Sequence, residues 1–134
     1  MVANASDKRP LLIAADWQSR ALLLAELQER GIEVRTEAGV RWTVKALMAE
    51  PLAPPLIFLD THGDPDATPE KVERLLAILA EDNVTPALLL LVGVFEQGMW
   101  QEAPGARVTL LTRPKTVGEM ARLIEEKLAE RADH

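Results

Sequence analysis

Asp60 closes the run Leu56-Ile57-Phe58-Leu59-Asp60, and the loop Thr61-His62-Gly63-Asp64 follows at once. Four apolar residues ending in a carboxylate read as a buried parallel strand that delivers an acid to the end of a sheet. Ligands of open α/β sheets bind outside the carboxyl ends of the strands, so Asp60 stands where such an architecture does its chemistry. Asp16 is placed in the same way, after the run Leu11-Leu12-Ile13-Ala14-Ala15, and it also suits the N-cap of a following helix. Asp64 and Asp66 extend the acidic loop after Asp60, and Arg113 follows a later apolar run, at another point where strand ends converge.

Composition excludes several other chemistries. The chain has 134 residues, an apolar fraction of 48% and no cysteine. That length corresponds to about one domain with a core large enough to need no staples. Without cysteine there is no thiol catalysis, no cysteine-ligated zinc and no disulfide framework. With two histidines, one of them the terminal His134, a histidine-based zinc site is disfavoured. The net charge is −6 and there is no basic stripe, so nucleic-acid binding by this domain is not expected. The start, MVANASDKRP, has no apolar h-region, and the longest apolar run, 87–92, is far too short to span a bilayer. A cytoplasmic protein with no membrane association is expected.

The elements that must position these acids alternate along the chain. A disordered leader is expected over 1–10, one folded domain over 11–130 and a polar tail over 131–134. Strands are expected at 11–15, 32–36, 56–60, 87–92 and 107–111. The first helix, from about 18 to 30, carries Leu23, Leu24 and Leu27 on one face and stops at Gly31. The second presents Val40, Val44, Leu47 and Met48. The third has Thr68 as N-cap and Pro69 at its first position. A short fourth helix holds Phe95, Met99 and Trp100 and ends at Pro104-Gly105; the last opens on a Thr116–Glu119 capping box. Five βα units predict an α/β fold of the flavodoxin-like, doubly wound kind. It is a five-stranded parallel sheet of order 2-1-3-4-5 with helices on both faces. In that order the first and third strands are neighbours, so Asp16 and Asp60 meet at one end of the sheet.

From residue 11 to about 130 this order and spacing resemble the receiver domain of two-component response regulators, as an atypical or degenerate member. The resemblance implies that Asp60 is the phosphoacceptor. It implies Mg²⁺ held by Asp16, Asp60 and the backbone carbonyl of His62, and weakened because Ala15 replaces the second acid of the pair after the first strand. The Lys-Pro of the family falls on Arg113-Pro114, so Arg113 takes the phosphoryl contact, with Pro114 expected in the cis form. An arginine fork is not equivalent to a lysine point charge. The switch hydroxyl falls on Leu91 or Val92 and the aromatic switch position on Leu110, none of which carries the usual group.

A carboxylate nucleophile repels the incoming phosphoryl group, which is why the metal matters to such a site. The resemblance thus implies a non-enzymatic signalling domain. Its partner would be a histidine kinase or phosphotransfer protein, and it would pass the change on to an output protein. A homodimer through the face of the fourth helix, fifth strand and fifth helix is a further expectation, with Met99 and Trp100 at its edge. The alternative is a pseudo-receiver, an interaction or dimerisation module that works without phosphorylation. A flavodoxin-like enzyme or nucleotide binder is disfavoured, because no glycine-rich phosphate loop follows the first strand.

Overall fold

The computed structural model describes residues 6–100 and 108–132. Its strands are β1 (Leu11–Ala14), β2 (Arg35–Glu37), β3 (Leu56–Asp60), β4 (Ala87–Val92) and β5 (Val108–Thr112). Its helices are α1 (Trp17–Glu29), α2 (Val40–Ala49), α3 (Pro69–Glu81), α4 (Gln97–Trp100) and α5 (Val117–Ala132), with a 3₁₀ turn over Val94–Glu96. All strand pairs are parallel, in the order β2-β1-β3-β4-β5.

The continuous apolar runs follow from burial on both faces of the sheet. Ile13, Ile57, Leu59, Leu90 and Val92 pack in one core with residues of α2 and α3 and with Trp100. Leu12, Leu56, Phe58, Leu89 and Leu91 point the other way and pack with α1 and α5 through Leu23, Leu27, Met120 and Ile124. No helix among the described residues is long and apolar enough to cross a membrane.

Local signals explain most element ends. Gly31 has φ +75° and donates to the Gln28 carbonyl at 3.0 Å, while Ile32 donates to that of Leu27 at 2.9 Å. This pair of bonds is a Schellman stop, and it engages Ile32, the residue expected to begin the second strand. That strand therefore starts later, at Arg35, where the backbone N–H reaches the Pro10 carbonyl at 2.9 Å. Thr68 caps α3 through Lys71 N, and Thr116 and Glu119 exchange the expected capping-box bonds.

Three further expectations change. The segment 1–10 enters the fold before its end: Asp7 forms a parallel bridge with Leu52 and an ion pair with Arg9. On α2, Thr43 is buried, its hydroxyl satisfied by the Gly39 carbonyl at 2.9 Å, while Met48 is left 80% exposed. Trp100 is core, only 1% exposed, so it cannot serve the edge of a dimer face. Its large apolar ring fills the space between β4, β5 and the first core rather than facing solvent. The fifth strand begins at Val108, and the Pro104-Gly105 stop and the expected first residue of that strand, Arg107, lie outside the described residues. The Arg113-Pro114 peptide is cis.

Candidate functional site

Asp60 is the last residue of β3 and pairs in register with Ala14 of β1 and Leu91 of β4. Its Oδ1 accepts from Arg113 Nη1 at 2.7 Å and from the His62 amide at 3.0 Å. The two side chains of that ion pair are 15% and 26% exposed, so the pair is shielded from much of the solvent. Among the described residues Oδ2 accepts no hydrogen bond.

Arg113 reaches Asp60 because of the β4–β5 register. Val92 faces Thr112, and Arg113, one residue on, donates its backbone N–H to the Val92 carbonyl at 2.9 Å. Its guanidinium then turns back over the sheet end. Nη1 also donates to the Leu91 carbonyl at 3.1 Å and, more weakly, to Thr61 Oγ1 at 3.4 Å. Nη2 meets Thr61 Oγ1 at 3.3 Å and Glu96 Oε1 at 3.1 Å. The planar fork thus joins two carboxylates and a hydroxyl, which a lysine ammonium on a single point could not span in the same way.

Glu96, Thr61 and Gly93 did not stand out in the sequence. Glu96 Oε1 accepts from the Gly93 amide at 3.0 Å as well as from Arg113. A Cβ on Gly93 would lie 2.8 Å from that oxygen and 3.5 Å from Arg113 Nη2, so only glycine leaves the carboxylate this berth. Thr61 is buried, with its hydroxyl donating to the Leu91 carbonyl at 3.1 Å. The available signals were an acid three residues beyond a glycine at a strand end and a hydroxyl directly after Asp60.

The side chains at the positions expected to be switch positions lie away from this cluster. Leu91 and Val92 turn their side chains into opposite cores, and Leu91 enters the site through its carbonyl alone. Leu110 is partly buried against the first core.

The side of the site nearest β1 is built differently. Asp16 caps α1: Oδ2 accepts from Ser19 N at 3.0 Å and from Ser19 Oγ at 2.5 Å. The Ser19 hydroxyl, then its amide, hold the Asp16 carboxyl below the usual carboxylate range, with His62 and Arg20 adding smaller charge effects. Arg20 places its guanidinium on the Ala14 carbonyl at 2.6 Å. Asp64 is turned onto α2, accepting from Val40 N at 2.9 Å and from Asp66 N at 3.0 Å. Asp66 pairs with Lys71. A cavity of about 260 Å³ beside Ala15 is lined by Gly39, Trp42, Gly63 and Asp64 among others.

No protein-family model and no curated protein matches the chain. Solved structures do. The receiver domain of NtrX from Brucella abortus is similar at 18% identity, covering 90% of this chain and 98% of that one, with a TM-score of 0.67. A CheY-like response regulator receiver domain protein from Methanospirillum hungatei is similar at 20% identity, covering 96% and 98%, with a TM-score of 0.66. A de novo designed Rossmann 2x3 protein reaches a TM-score of 0.62 at 14% identity, covering 91% and 90%. The fold is that of response-regulator receiver domains, and the designed neighbour illustrates that such likeness speaks to fold alone.

The receiver fold implies a magnesium ion, and the two carboxylates expected to hold it, Asp16 and Asp60, each have one oxygen engaged by other groups of this chain. Among the described residues no group of three His, Asp or Glu side chains stands close enough to hold a metal. Asp16 is engaged with Ser19, Asp60 Oδ1 with Arg113 and the His62 amide, and a second guanidinium, that of Arg20, stands at the end of β1. From His62, the backbone amide donates to Asp60 Oδ1 at 3.0 Å.

Proposed function

We propose that the chain is a receiver-like signalling module that works without phosphorylation, through protein–protein contact. The observation that carries this reading is the Asp60–Arg113–Glu96 bridge, in which the cation meant for an incoming phosphoryl group already holds two carboxylates. Ala15, Asp16 turned onto Ser19 and the apolar Leu91 and Val92 support it, because the second acid after β1 and a switch hydroxyl are both lacking from the side chains present. The exposed apolar residues Val94, Phe95 and Met99 support a contact surface beside α4, which is where a homodimer or an output protein would sit.

A second reading keeps Asp60 as a phosphoacceptor for a histidine kinase or phosphotransfer protein, with Mg²⁺ assistance. It is favoured by Asp60 Oδ2, which accepts no hydrogen bond among the described residues, and by Arg113 standing within reach of an added phosphoryl oxygen.

One experiment decides between them. The protein is incubated with Mg²⁺ and acetyl phosphate, and intact mass is measured for the native chain and for Asp60→Asn. The first reading expects no phosphoryl adduct on either. A stoichiometric adduct that Asp60→Asn abolishes overturns it in favour of the second.

A further inference from the structure

We infer that Glu96 is a built-in anion that occupies the β4–β5 end of the site and thereby excludes external oxyanions from it. The inference deepens the phosphorylation-independent reading and rests on it for its biological sense, but its geometry stands separately. Two donors converge on one carboxylate oxygen: the Gly93 amide at 3.0 Å and Arg113 Nη2 at 3.1 Å. A backbone N–H and a guanidinium arm aimed at one point make the arrangement that binds a phosphate or sulfate oxygen. In this chain the oxygen is intramolecular. It comes from a residue three positions beyond Gly93, on a 3₁₀ turn that starts where β4 ends.

The position of Gly93 makes the occupancy specific. Its φ is −73°, a conformation open to any residue, so glycine is not required there by the backbone. What it supplies is space, since a Cβ would come within 2.8 Å of the Glu96 oxygen. That atom ends a flexible side chain, so a substitution at Gly93 displaces the carboxylate instead of straining the strand. Glu96 also repels an approaching anion by its charge, and together with Asp60 it outnumbers the single guanidinium between them. Glu96 is thus a positioning residue: it fixes Arg113 and fills the place that an oxyanion would take.

The test uses inorganic phosphate as the probe, titrated into the ¹⁵N-labelled 134-residue chain while the residue 93 amide and the Arg113 side-chain resonances are followed. Four proteins are compared: native, Glu96→Gln, Gly93→Ala and Asp60→Asn. Glu96→Gln is expected to bind phosphate at the residue 93 amide roughly tenfold more tightly than the native chain, the scale of one partly exposed charge-assisted hydrogen bond. Gly93→Ala keeps every charge and is expected to gain in the same direction, by less, because the displaced carboxylate remains nearby. Asp60→Asn removes the same charge as Glu96→Gln but leaves the Glu96 carboxylate on the Gly93 amide, whereas Glu96→Gln leaves there only a neutral, weaker acceptor, so Asp60→Asn should gain clearly less at the residue 93 amide.

Equal affinities in the native chain, Glu96→Gln and Gly93→Ala overturn the inference. So does an equal gain in Asp60→Asn and Glu96→Gln, which would reduce Glu96 to a general charge effect. Thermal melts of all four proteins identify any that fail to fold; should Glu96→Gln fail, Gly93→Ala decides alone. None of these outcomes depends on whether acetyl phosphate modifies Asp60. The inference and the phosphorylation-independent reading can therefore fail separately.

Discussion

The two sides of the sheet end around Asp60 use their charges in opposite ways. Toward β1, the carboxylates of Asp16 and Asp64 are turned onto backbone amides, where each caps a helix. Toward β5, Arg113 and Glu96 are turned onto other side chains and onto Asp60. A carboxylate that caps a helix stabilises the fold but has less to offer a cation. A guanidinium held between two acids makes a clasp that is complete without a ligand. The β1 side thus commits its acids to helix starts, while the β5 side closes its charges on one another.

The largest expected effect comes from breaking the clasp. Arg113→Ala leaves Asp60, 15% exposed, with the His62 amide as its remaining partner, and leaves Glu96 with the Gly93 amide. Removing one partner of a largely buried pair strands the other charge, and here about 2–3 kcal/mol is expected, reduced from the fully buried case by the residual exposure. The melting temperature should fall by roughly 10 °C in a domain of this size. A loss no greater than that of an ordinary surface substitution would show that the β5 side is as dispensable as an exposed ion pair.

The fold was legible because it is written in repeated signals. Apolar runs at 11–14, 56–59 and 87–92 mark strands buried on both faces, and Thr68-Pro69 and Thr116–Glu119 mark helix starts. The late start of β2 was not legible: Ile32-Glu33-Val34 alternates like a strand, but the Schellman bonds after α1 engage Ile32 first. Asp60, Asp16 and Arg113 could be placed from strand ends alone. Glu96 could not, because its part depends on the β4–β5 register, which sets Arg113 level with Gly93, and on the space that a missing Cβ leaves. Trp100 misled for the opposite reason. A tryptophan on a four-residue helix gives no periodicity from which to tell core from surface.

The next effect tests the β1 side by restoring what it lacks. Ala15→Asp places a second carboxylate beside Asp16, at the rim of the cavity that Ala15 lines. Mg²⁺ is expected to leave the melting temperature of the native chain unchanged and to raise that of Ala15→Asp. At ten times its dissociation constant the ion would stabilise the variant by about 1.4 kcal/mol. An equal Mg²⁺-dependent rise in both proteins would mean that Asp16 and Asp60 suffice for the metal, and the contrast between the two sides would collapse.

The smallest effect concerns Asp16 itself, and its sign follows from the direction of its pKa. Its carboxyl is held below the ordinary value of 3.8, first by the Ser19 hydroxyl. A group depressed on folding contributes stability that is fully present above its unfolded pKa and is lost as pH falls through the folded one. Asn caps a helix about as well as Asp but does not titrate. Native protein should therefore exceed Asp16→Asn slightly in melting temperature near pH 6, with the advantage shrinking steadily below about pH 4. Asp7, lowered to about 2 chiefly by its hydrogen bond with Arg9, is unchanged in both proteins and cancels in the comparison. Parallel curves down to about pH 2 would mean that the Asp16–Ser19 contact confers no charge-dependent stability. Asp16 would then be free to turn toward Asp60 and a cation, and the β1 side would be a dormant metal site rather than a pair of helix caps.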